Sequence, residues 1–248
     1  MIKLFRNIRR KYLAKSRFGK YLLYAIGEIF LVVIGILIAL NINNWNENRK
    51  EGQELNDYLI KISENIAEDL EVVESHLKKR QRIQTNSRKN MLHIFNEQYD
   101  SLSVSQNVEI FVDFNFVPRR NGFQALTNSG YINKLKRSRL DSLLYRYYFT
   151  VDEIHREELS FNGYMESMEI SVGETISIIP VAKQYFGQPV DDKEVLKNNT
   201  DYFQNVALQA AIARACGQTI IIEKYKNLIS TGVLLNNAIV KRINSTNE

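Results

Sequence analysis

Residues Tyr21 to Leu40 read YLLYAIGEIFLVVIGILIAL, a stretch of twenty residues in which Glu28 is the one charged side chain. A helix of ~20 residues, rising ~1.5 Å per residue, matches a hydrocarbon core of ~30 Å. The stretch therefore predicts a transmembrane helix, and the lipid bilayer is the first expected partner. Trp45 carries an amphipathic ring of the kind favoured at the membrane interface, so the predicted anchor covers residues 21–45.

The charges of the chain predict how this anchor is oriented. Eight of the 33 Lys and Arg residues lie in the first twenty positions, which contain no acid; the other 25 stand against 28 acids, so the remainder carries −3. Basic flanks stay on the cytoplasmic side of a membrane. We therefore predict a basic cytoplasmic tail at residues 1–20 and a large domain at 46–248 on the other side. Within the tail, Arg9, Arg10, Lys11 and Lys20 are expected at the anionic headgroups.

A cleaved signal peptide is the alternative interpretation of the same stretch. Cleavage requires small residues after an apolar run of ~7 to 15, whereas this run is longer and ends Leu37-Ile38-Ala39-Leu40-Asn41. An uncleaved anchor fits better. Cys216 is the single cysteine, so the exported domain has no internal disulfide, and the alanines around Cys216 predict a small buried helical residue.

Helical periodicity dominates the sequence after the anchor, and it predicts an all-α fold. Apolar residues recur every 3 or 4 positions at Leu55, Leu59, Ile62, Ile66, Leu70, Val73 and Leu77. The charges of this helix, acidic up to Glu74 and including Asp69, then basic from Lys78 and including Arg80, are predicted to form solvated faces. Three long passes, residues 46–97, 138–176 and 201–243, are expected to pack as an antiparallel bundle.

Local signals predict where the shorter elements begin and end. Residues 108–117 alternate apolar and polar without a hairpin partner, so we expect extended or briefly helical chain there rather than a paired strand. Ser138 is predicted to cap the second pass and Thr200 the third. In an antiparallel arrangement the loop 177–199 would return to the bilayer and bring Tyr185 and Phe186 to the headgroups.

Glu28 is the first candidate functional residue, because a carboxylate near the centre of a membrane costs ~2.5 kcal/mol or more and is usually compensated. Gly35 and Ala39 share its helical face, and small residues allow helices to approach closely. The pattern favours a helix-contact role for Glu28, Gly35 and Ala39. A proton-carrying carboxylate in a membrane complex, or an acid that is merely tolerated, remain alternatives.

Metal and cofactor chemistry has little support in the sequence. Asp152, His155 and Glu158 share the spacing of metal ligands, but a di-metal bundle needs a matching pair on a second helix, and neither His76 nor His93 supplies one. No phosphate loop, nucleophile elbow or paired cysteine motif occurs, so we predict no metal, no cofactor and no catalytic residue.

A basic patch at Lys134, Lys136, Arg137 and Arg139 remains to be explained. Nucleic acid is not expected as a partner, because the anchor places this domain outside the cytoplasm. Contact with an anionic envelope polymer or simple solvation are the two interpretations, of which solvation is favoured.

Two stretches, YAIGEIFLVVIGILIALNINNWNENRK (24–50) and GFQALTNSGYINKLKRSRLDSLLYRYY (122–148), resemble an uncharacterised family of single-pass envelope proteins common in Bacteroidota. The resemblance spans most of the chain and implies an inner-membrane protein with a helical periplasmic domain. It implies no activity, substrate or catalytic residue.

The function expected from these features is that of a non-enzymatic envelope protein. Its periplasmic bundle would scaffold or bind a protein partner or further copies of the chain. The alternatives are a ligand-sensing bundle that signals through a membrane partner and, third, a proton-coupled membrane subunit that uses Glu28. A deep polar cavity would favour a sensor or an enzyme, whereas a dry core would favour the scaffold.

Overall fold

The computed structural model describes residues 17–102, 108–177, 179, 182–183, 186–189 and 192–246. The predicted interfacial residues Arg9, Arg10 and Lys11 and the predicted headgroup contact Tyr185 lie outside these ranges. By the density of their contacts, residues divide into two compact units, Met1–Leu55 and Asn56–Glu248. Each unit is described by itself.

Helices make up the regular structure of the described residues, which confirms the all-α class. In chain order they are α1 (Arg17–Phe95), α2 (Asn121–Asn128), α3 (Arg139–Thr175), α4 (Asp192–Phe203), α5 (Val206–Cys216) and α6 (Thr219–Thr246). Short 3-10 helices occupy Tyr99–Ser101, Val108–Phe111 and Tyr131–Leu135.

Helix α1 is 79 residues long and supplies the described part of the first unit. Its sequence contains no proline, so nothing removes a backbone hydrogen bond from its interior. The side chains from Tyr21 to Ile42 are all exposed in this unit. Farther along, the apolar stripe is buried as the periodicity predicts: Leu55, Leu59, Ile62, Ile66 and Val73 are at most 1 % exposed.

The segment between α1 and α3 runs back along α1 within the second unit. Val108–Phe111 forms a 3-10 helix and residues 112–120 have no regular secondary structure, so no paired strand forms there, as expected. The Arg119 backbone N–H donates to Asp69 Oδ1 at 3.1 Å, and the Tyr131 ring lies 6.1 Å from the Tyr58 ring. As the segment advances, its partners on α1 therefore move toward the start of the unit.

This return gives α3 the same direction as α1. The Tyr147 hydroxyl donates to Asp69 Oδ2 at 3.4 Å, and eleven residues farther along both helices Glu158 Oε1 lies 3.9 Å from Arg80 Nη2. Helix α6 is antiparallel to both, because its Tyr225 contacts Arg80 whereas its later residue 232 lies against Leu70 of α1. The expectation that the second pass returns antiparallel to the first is therefore wrong.

The end of α3 and the residues from Asn199 to Asn205 consequently lie near the end of α1 in the second unit. Asn199 Nδ2 donates to the Leu102 carbonyl at 3.0 Å, and Asn205 Nδ2 donates to Thr175 Oγ1 at 2.7 Å. The predicted return of loop 177–199 to the bilayer depended on an antiparallel second pass, so its basis is lost, and several residues of this loop lie outside the described ranges. Phe186 is 73 % exposed.

Two helix caps show where local sequence signals succeed and fail. Ser138 caps α3 as predicted, since its hydroxyl accepts from the Asp141 backbone N–H at 3.1 Å. Thr200 is not a cap, because it lies inside α4. Asn205 caps α5 instead, accepting from the Leu208 N–H at 3.0 Å. The sequence around Thr200 resembles a helix start, but α4 already continues through it to Phe203.

Candidate functional site

A buried pair of opposite charges lies at the centre of the second unit. The side chains of Arg80 on α1 and Glu158 on α3 are both 0 % exposed, and Arg80 Nη2 lies 3.9 Å from Glu158 Oε1. This separation is longer than a charge-assisted hydrogen bond, so the two ions attract each other without a direct bond. Because buried charges carry a large desolvation cost, the pair depends on its other partners.

Those partners come from α6, from Gln218 directly before it and from the segment that precedes α2. Tyr225 donates a short hydrogen bond to Glu158 Oε1, and the Phe116 backbone N–H donates to Glu158 Oε2 at 2.8 Å. Arg80 Nη1 donates to Gln218 Oε1 at 2.9 Å, and Arg80 Nε donates to the Tyr225 hydroxyl at 3.4 Å. One polar network therefore joins α1, α3, α6 and the chain before α2.

Aromatic rings enclose the guanidinium of Arg80. Its central carbon lies 5.0 Å from the Phe114 ring centroid, 5.1 Å from that of Phe161 and 5.8 Å from that of Tyr225. Cations attract the faces of aromatic rings within about 6 Å, and the attraction strengthens when water is excluded. Burial raises the pKa of Glu158, while the Tyr225 and Phe116 hydrogen bonds and the positive charge of Arg80 act to lower it.

His76 lies one helical turn before Arg80 and shares its aromatic neighbours. The His76 ring centroid is 5.7 Å from that of Phe114 and 6.3 Å from that of Tyr225. Burial and then the positive charges of Arg80 and Lys79 lower the pKa of His76 below its ordinary value of 6.5. The ring is therefore neutral at pH 7, and a proton added to it would place a second cation beside Arg80.

This arrangement predicts a loss of stability on acidification that depends on His76. A group whose pKa is lower in the folded state contributes stability above its unfolded pKa, here 6.5, and loses that contribution as pH falls through the folded value. We expect the urea midpoint of the wild-type chain to fall from pH 7.5 to pH 5 by more than that of His76→Phe. The midpoints are measured in detergent by far-UV circular dichroism. An equal fall of the urea midpoint in both chains would exclude a role for His76.

A second buried carboxylate lies nearer the start of the unit. Asp69 is 1 % exposed, and it accepts from the Arg119 backbone N–H, from Arg119 Nη1 at 3.2 Å and from the Tyr147 hydroxyl. Burial raises the pKa of Asp69 and the Arg119 hydrogen bonds lower it. Glu68 pairs with the same Arg119 at 2.5 Å from Nε. This cluster fastens the returning segment to α1.

The two charged residues of α1 that hold these clusters were expected on solvated faces, and that expectation is wrong. Arg80 falls on the buried stripe, three residues after Leu77, and Asp69 lies seven after Ile62. On α3, Glu158 falls between the buried Ile154 and Phe161. A polar residue at an interior position of a helical repeat was the signal that could have identified each of them.

The metal-like spacing on α3 does not come together as a ligand set. Asp152 pairs with Arg120, and Glu158 points inward to Tyr225 and Phe116. His155 is exposed. Among the residues that the structure describes, no group of three or more His, Cys, Asp or Glu side chains is arranged to hold a metal ion.

The predicted membrane residues lie on the first unit's helix. Glu28, Gly35 and Ala39 are exposed there, and a Cβ added at Gly35 would meet no atom within 4 Å. Trp45 is 66 % exposed, with the Arg49 guanidinium 5.7 Å from its ring centroid. Lys20 belongs to the same helix. The role of these residues as contacts stays a prediction.

The surface of the second unit carries a shallow groove on α6. Thr219, Ile220, Glu223, Lys224 and Asn227 line it. The Lys224 ammonium is engaged by α3, lying 3.0 Å from Glu153 Oε1 and 3.5 Å from Glu157 Oε1. The charge of this lysine is therefore neutralised within the fold.

These features define an all-α bundle with an interior ion pair, and the described residues include one helix, near the N-terminus, that is long and apolar enough to cross a membrane. A model described as a family of unknown function, DUF6090, matches residues 28–179, more than half of the chain. The chain belongs to this family, which agrees with the resemblance to an uncharacterised family. No curated protein and no solved structure matches it.

Proposed function

We propose that the chain is a single-pass protein of the bacterial inner membrane, with its N-terminus in the cytoplasm and its bundle in the periplasm. In this proposal the bundle is a scaffold or interaction module and performs no catalysis. The partners are the lipid bilayer and either another envelope protein or further copies of the chain.

The exposed apolar segment of α1 is the observation that carries this proposal. Its most apolar window has a mean hydropathy of 2.6, and none of that window is buried. In water such a surface would be strongly unfavourable, since burial of apolar area contributes roughly 25 cal/mol per Å². A bilayer covers it, and the eight bases before residue 21 favour an N-terminus on the cytoplasmic side.

The interior of the second unit supports a scaffold rather than a catalyst. Glu158 and Arg80 use their hydrogen bonds on Tyr225, Phe116 and Gln218. Catalytic groups instead face a cleft that a substrate can enter. A buried polar network of this kind holds three helices in register, which suits a module whose surface makes its contacts.

Crosslinking between anchors tests the membrane part of the proposal. We expect Glu28→Leu combined with Gly35→Leu to abolish anchor-to-anchor crosslinks in the full chain, because the double change removes the polar group and fills the close-packing position. Ile29→Leu with Ile36→Leu is the matched control, at the same spacing but about 100° around the helix. Unchanged crosslinking in the first variant would contradict a contact at Glu28.

Purification in mild detergent with crosslinking and mass spectrometry tests the scaffold itself. We expect the full chain to be recovered with further copies or with a defined envelope partner. Recovery of monomer alone, with no crosslinked partner, would contradict the proposed function.

A further inference from the structure

We propose that two copies of the chain pair side by side and in parallel through one exposed stripe of α6. The α6 stripe comprises Ser230, Val233, Asn237, Val240 and Asn244. The partner is a second copy in the same membrane, so this inference rests on the proposed self-association and names a surface that carries it.

The α6 stripe recurs with the period of a coiled-coil seam. Its residues follow one another at steps of 3, 4, 3 and 4, an average of 3.5 residues, and all five are exposed. Helices with this spacing bury the stripe against a second helix by supercoiling around it. The repeat therefore fits a helical partner better than a flat surface.

Two kinds of side chain alternate along the α6 stripe. Val233 is 47 % exposed and Val240 is 52 % exposed, so both present apolar area to solvent. Asn237 lies between them, and Ser230 and Asn244 occupy the equivalent positions on either side. A single asparagine within an apolar seam favours a parallel pair in one fixed register, because it is best satisfied opposite the same residue of the partner.

The charge pattern of α6 fits pairing with itself. In a parallel two-fold contact each residue of the stripe faces the same residue of the other copy, so any charge would face its own sign. The α6 stripe carries no charged residue. Earlier in the helix the same repeat contains Glu223 and Lys226, which pair with each other at 2.7 Å, so the uncharged part begins at Ser230.

The exposed faces of the other two long helices of the second unit do not fit a parallel pair. Helix α3 exposes Arg156 and Glu166 on its outer side, and α1 exposes Glu71 and Lys78. Each of these charges would face its own copy across a parallel two-fold contact, which is unfavourable. Among the described long helices of this unit, α6 therefore offers the stripe that suits self-pairing.

A parallel pair of α6 helices also has the orientation that one membrane requires. Helix α6 runs antiparallel to α1, since residue 232 lies against Ile66 and Leu70 and the later residues continue toward the start of the unit. Two parallel α6 helices therefore bring the starts of both second units to the same end of the pair. The contact is short, and anchoring in one membrane supplies the effective concentration that it needs.

Cysteine scanning tests which face of α6 meets its copy. Single cysteines replace Val233, Asn237 or Val240 in the full chain carrying Cys216→Ala, which is reconstituted into lipid nanodiscs sized for several copies and oxidised with copper phenanthroline. We expect disulfide-linked dimers at all three positions. Leu234→Cys and Lys241→Cys are the matched controls, each next to a valine of the stripe but about 100° around the helix, and should give about tenfold less dimer.

Charge exchange tests whether the pair is parallel and self-matched, with Asn237→Cys as the reporter. Val233→Glu with Val240→Glu should lower the dimer yield about tenfold, because like charges then face each other, and Val233→Lys with Val240→Lys should do the same. Mixing ¹⁵N-labelled glutamate chains with unlabelled lysine chains should restore dimers that join a heavy copy to a light one. Mass spectrometry distinguishes these dimers.

Ile220→Glu with Asn227→Glu is the control for added charge, because it has the same seven-residue spacing but lies about 140° around α6. Its dimer yield should equal that of the reporter chain. Circular dichroism confirms that each variant folds.

Three results would overturn the inference: equal crosslinking at the stripe and at its neighbours, an equal loss in the charge control, or no heavy-to-light dimer in the mixture. Crosslinks from residue 237 to a different protein in cell membranes, in place of a second copy, would also overturn it. Anchor crosslinks that persist in the same samples would show that the proposed function stands while this contact does not.

Discussion

Arg80→Met is expected to lower the free energy of unfolding by about 3 to 5 kcal/mol, because it leaves the Glu158 carboxylate buried without its counter-ion. Both side chains are 0 % exposed, so solvent cannot replace the lost charge. Methionine retains much of the side-chain volume beside the Phe114 and Phe161 rings, although it lacks the cation that faces them. The loss should therefore report the unpaired charge rather than an empty cavity.

The double variant Arg80→Met with Glu158→Gln separates these effects. Glutamine keeps an oxygen that accepts from the Phe116 N–H, and no unpaired charge remains. We expect the double variant to be more stable than Arg80→Met alone, since replacing a whole buried pair is often close to neutral. Urea unfolding in detergent, monitored by far-UV circular dichroism, of the wild type, Arg80→Met, Glu158→Gln and the double variant gives the four free energies of the cycle. Additive losses would show that the two charges do not interact.

The periodicity of α1 predicted its helix and its buried stripe, but not the polar residues of the interior. The pattern separates apolar from polar positions, so Arg80 was assigned to solvent with its charged neighbours. In the structure Arg80 is buried, as its position on the apolar repeat requires. Glu158, Gln218 and three aromatic rings compensate the cost of removing its charge from water. Glu158 is 78 residues and Gln218 is 138 residues from Arg80 in the chain, so no local pattern contains them.

The prediction that the second pass runs antiparallel to α1 was wrong for a different physical reason. Residues 112–120 have no regular secondary structure, and a non-helical residue can cover up to about 3.3 Å against 1.5 Å in a helix. A short segment can therefore return along about three turns of α1, because the Phe116 N–H contacts the Glu158 side chain that faces Arg80, and the Arg119 N–H contacts Asp69. Side-chain and backbone contacts with two buried carboxylates fix that path, and neither carboxylate was expected inside.

The caps show how far local chemistry is sufficient. Ser138 and Asp141 are close in sequence and make their bond within one turn, so the pattern alone located the start of α3. Thr200 has a comparable pattern, but packing of α4 decides there, since Asn199 is buried and bonded to the Leu102 carbonyl. A cap signal predicts a helix start only where tertiary contacts do not continue the preceding helix.

Gly122 lies in close contact with the backbone of α1, and substitution there should be strongly destabilising. Its Cβ position lies 3.0 Å from the Ile62 backbone nitrogen and 3.0 Å from Asn65 Nδ2. The Asn65 amide is itself held by a 2.6 Å hydrogen bond to Asn121 Oδ1. A helix backbone cannot yield as a flexible side chain can, so α2 would have to move.

We therefore expect Gly122→Ala to lower the free energy of unfolding by about 1 to 3 kcal/mol, as overpacking does in well-packed interiors. Gly163→Ala is the matched control, because Gly163 is exposed within α3 and an added Cβ meets nothing within 4 Å. There alanine should stabilise by about 0.5 to 1 kcal/mol through its higher helix propensity. Opposite signs in urea unfolding of the two full-length variants would confirm that α2 is held against α1 by this contact. A stabilising Gly122→Ala would show instead that the segment can move away from α1 at no cost.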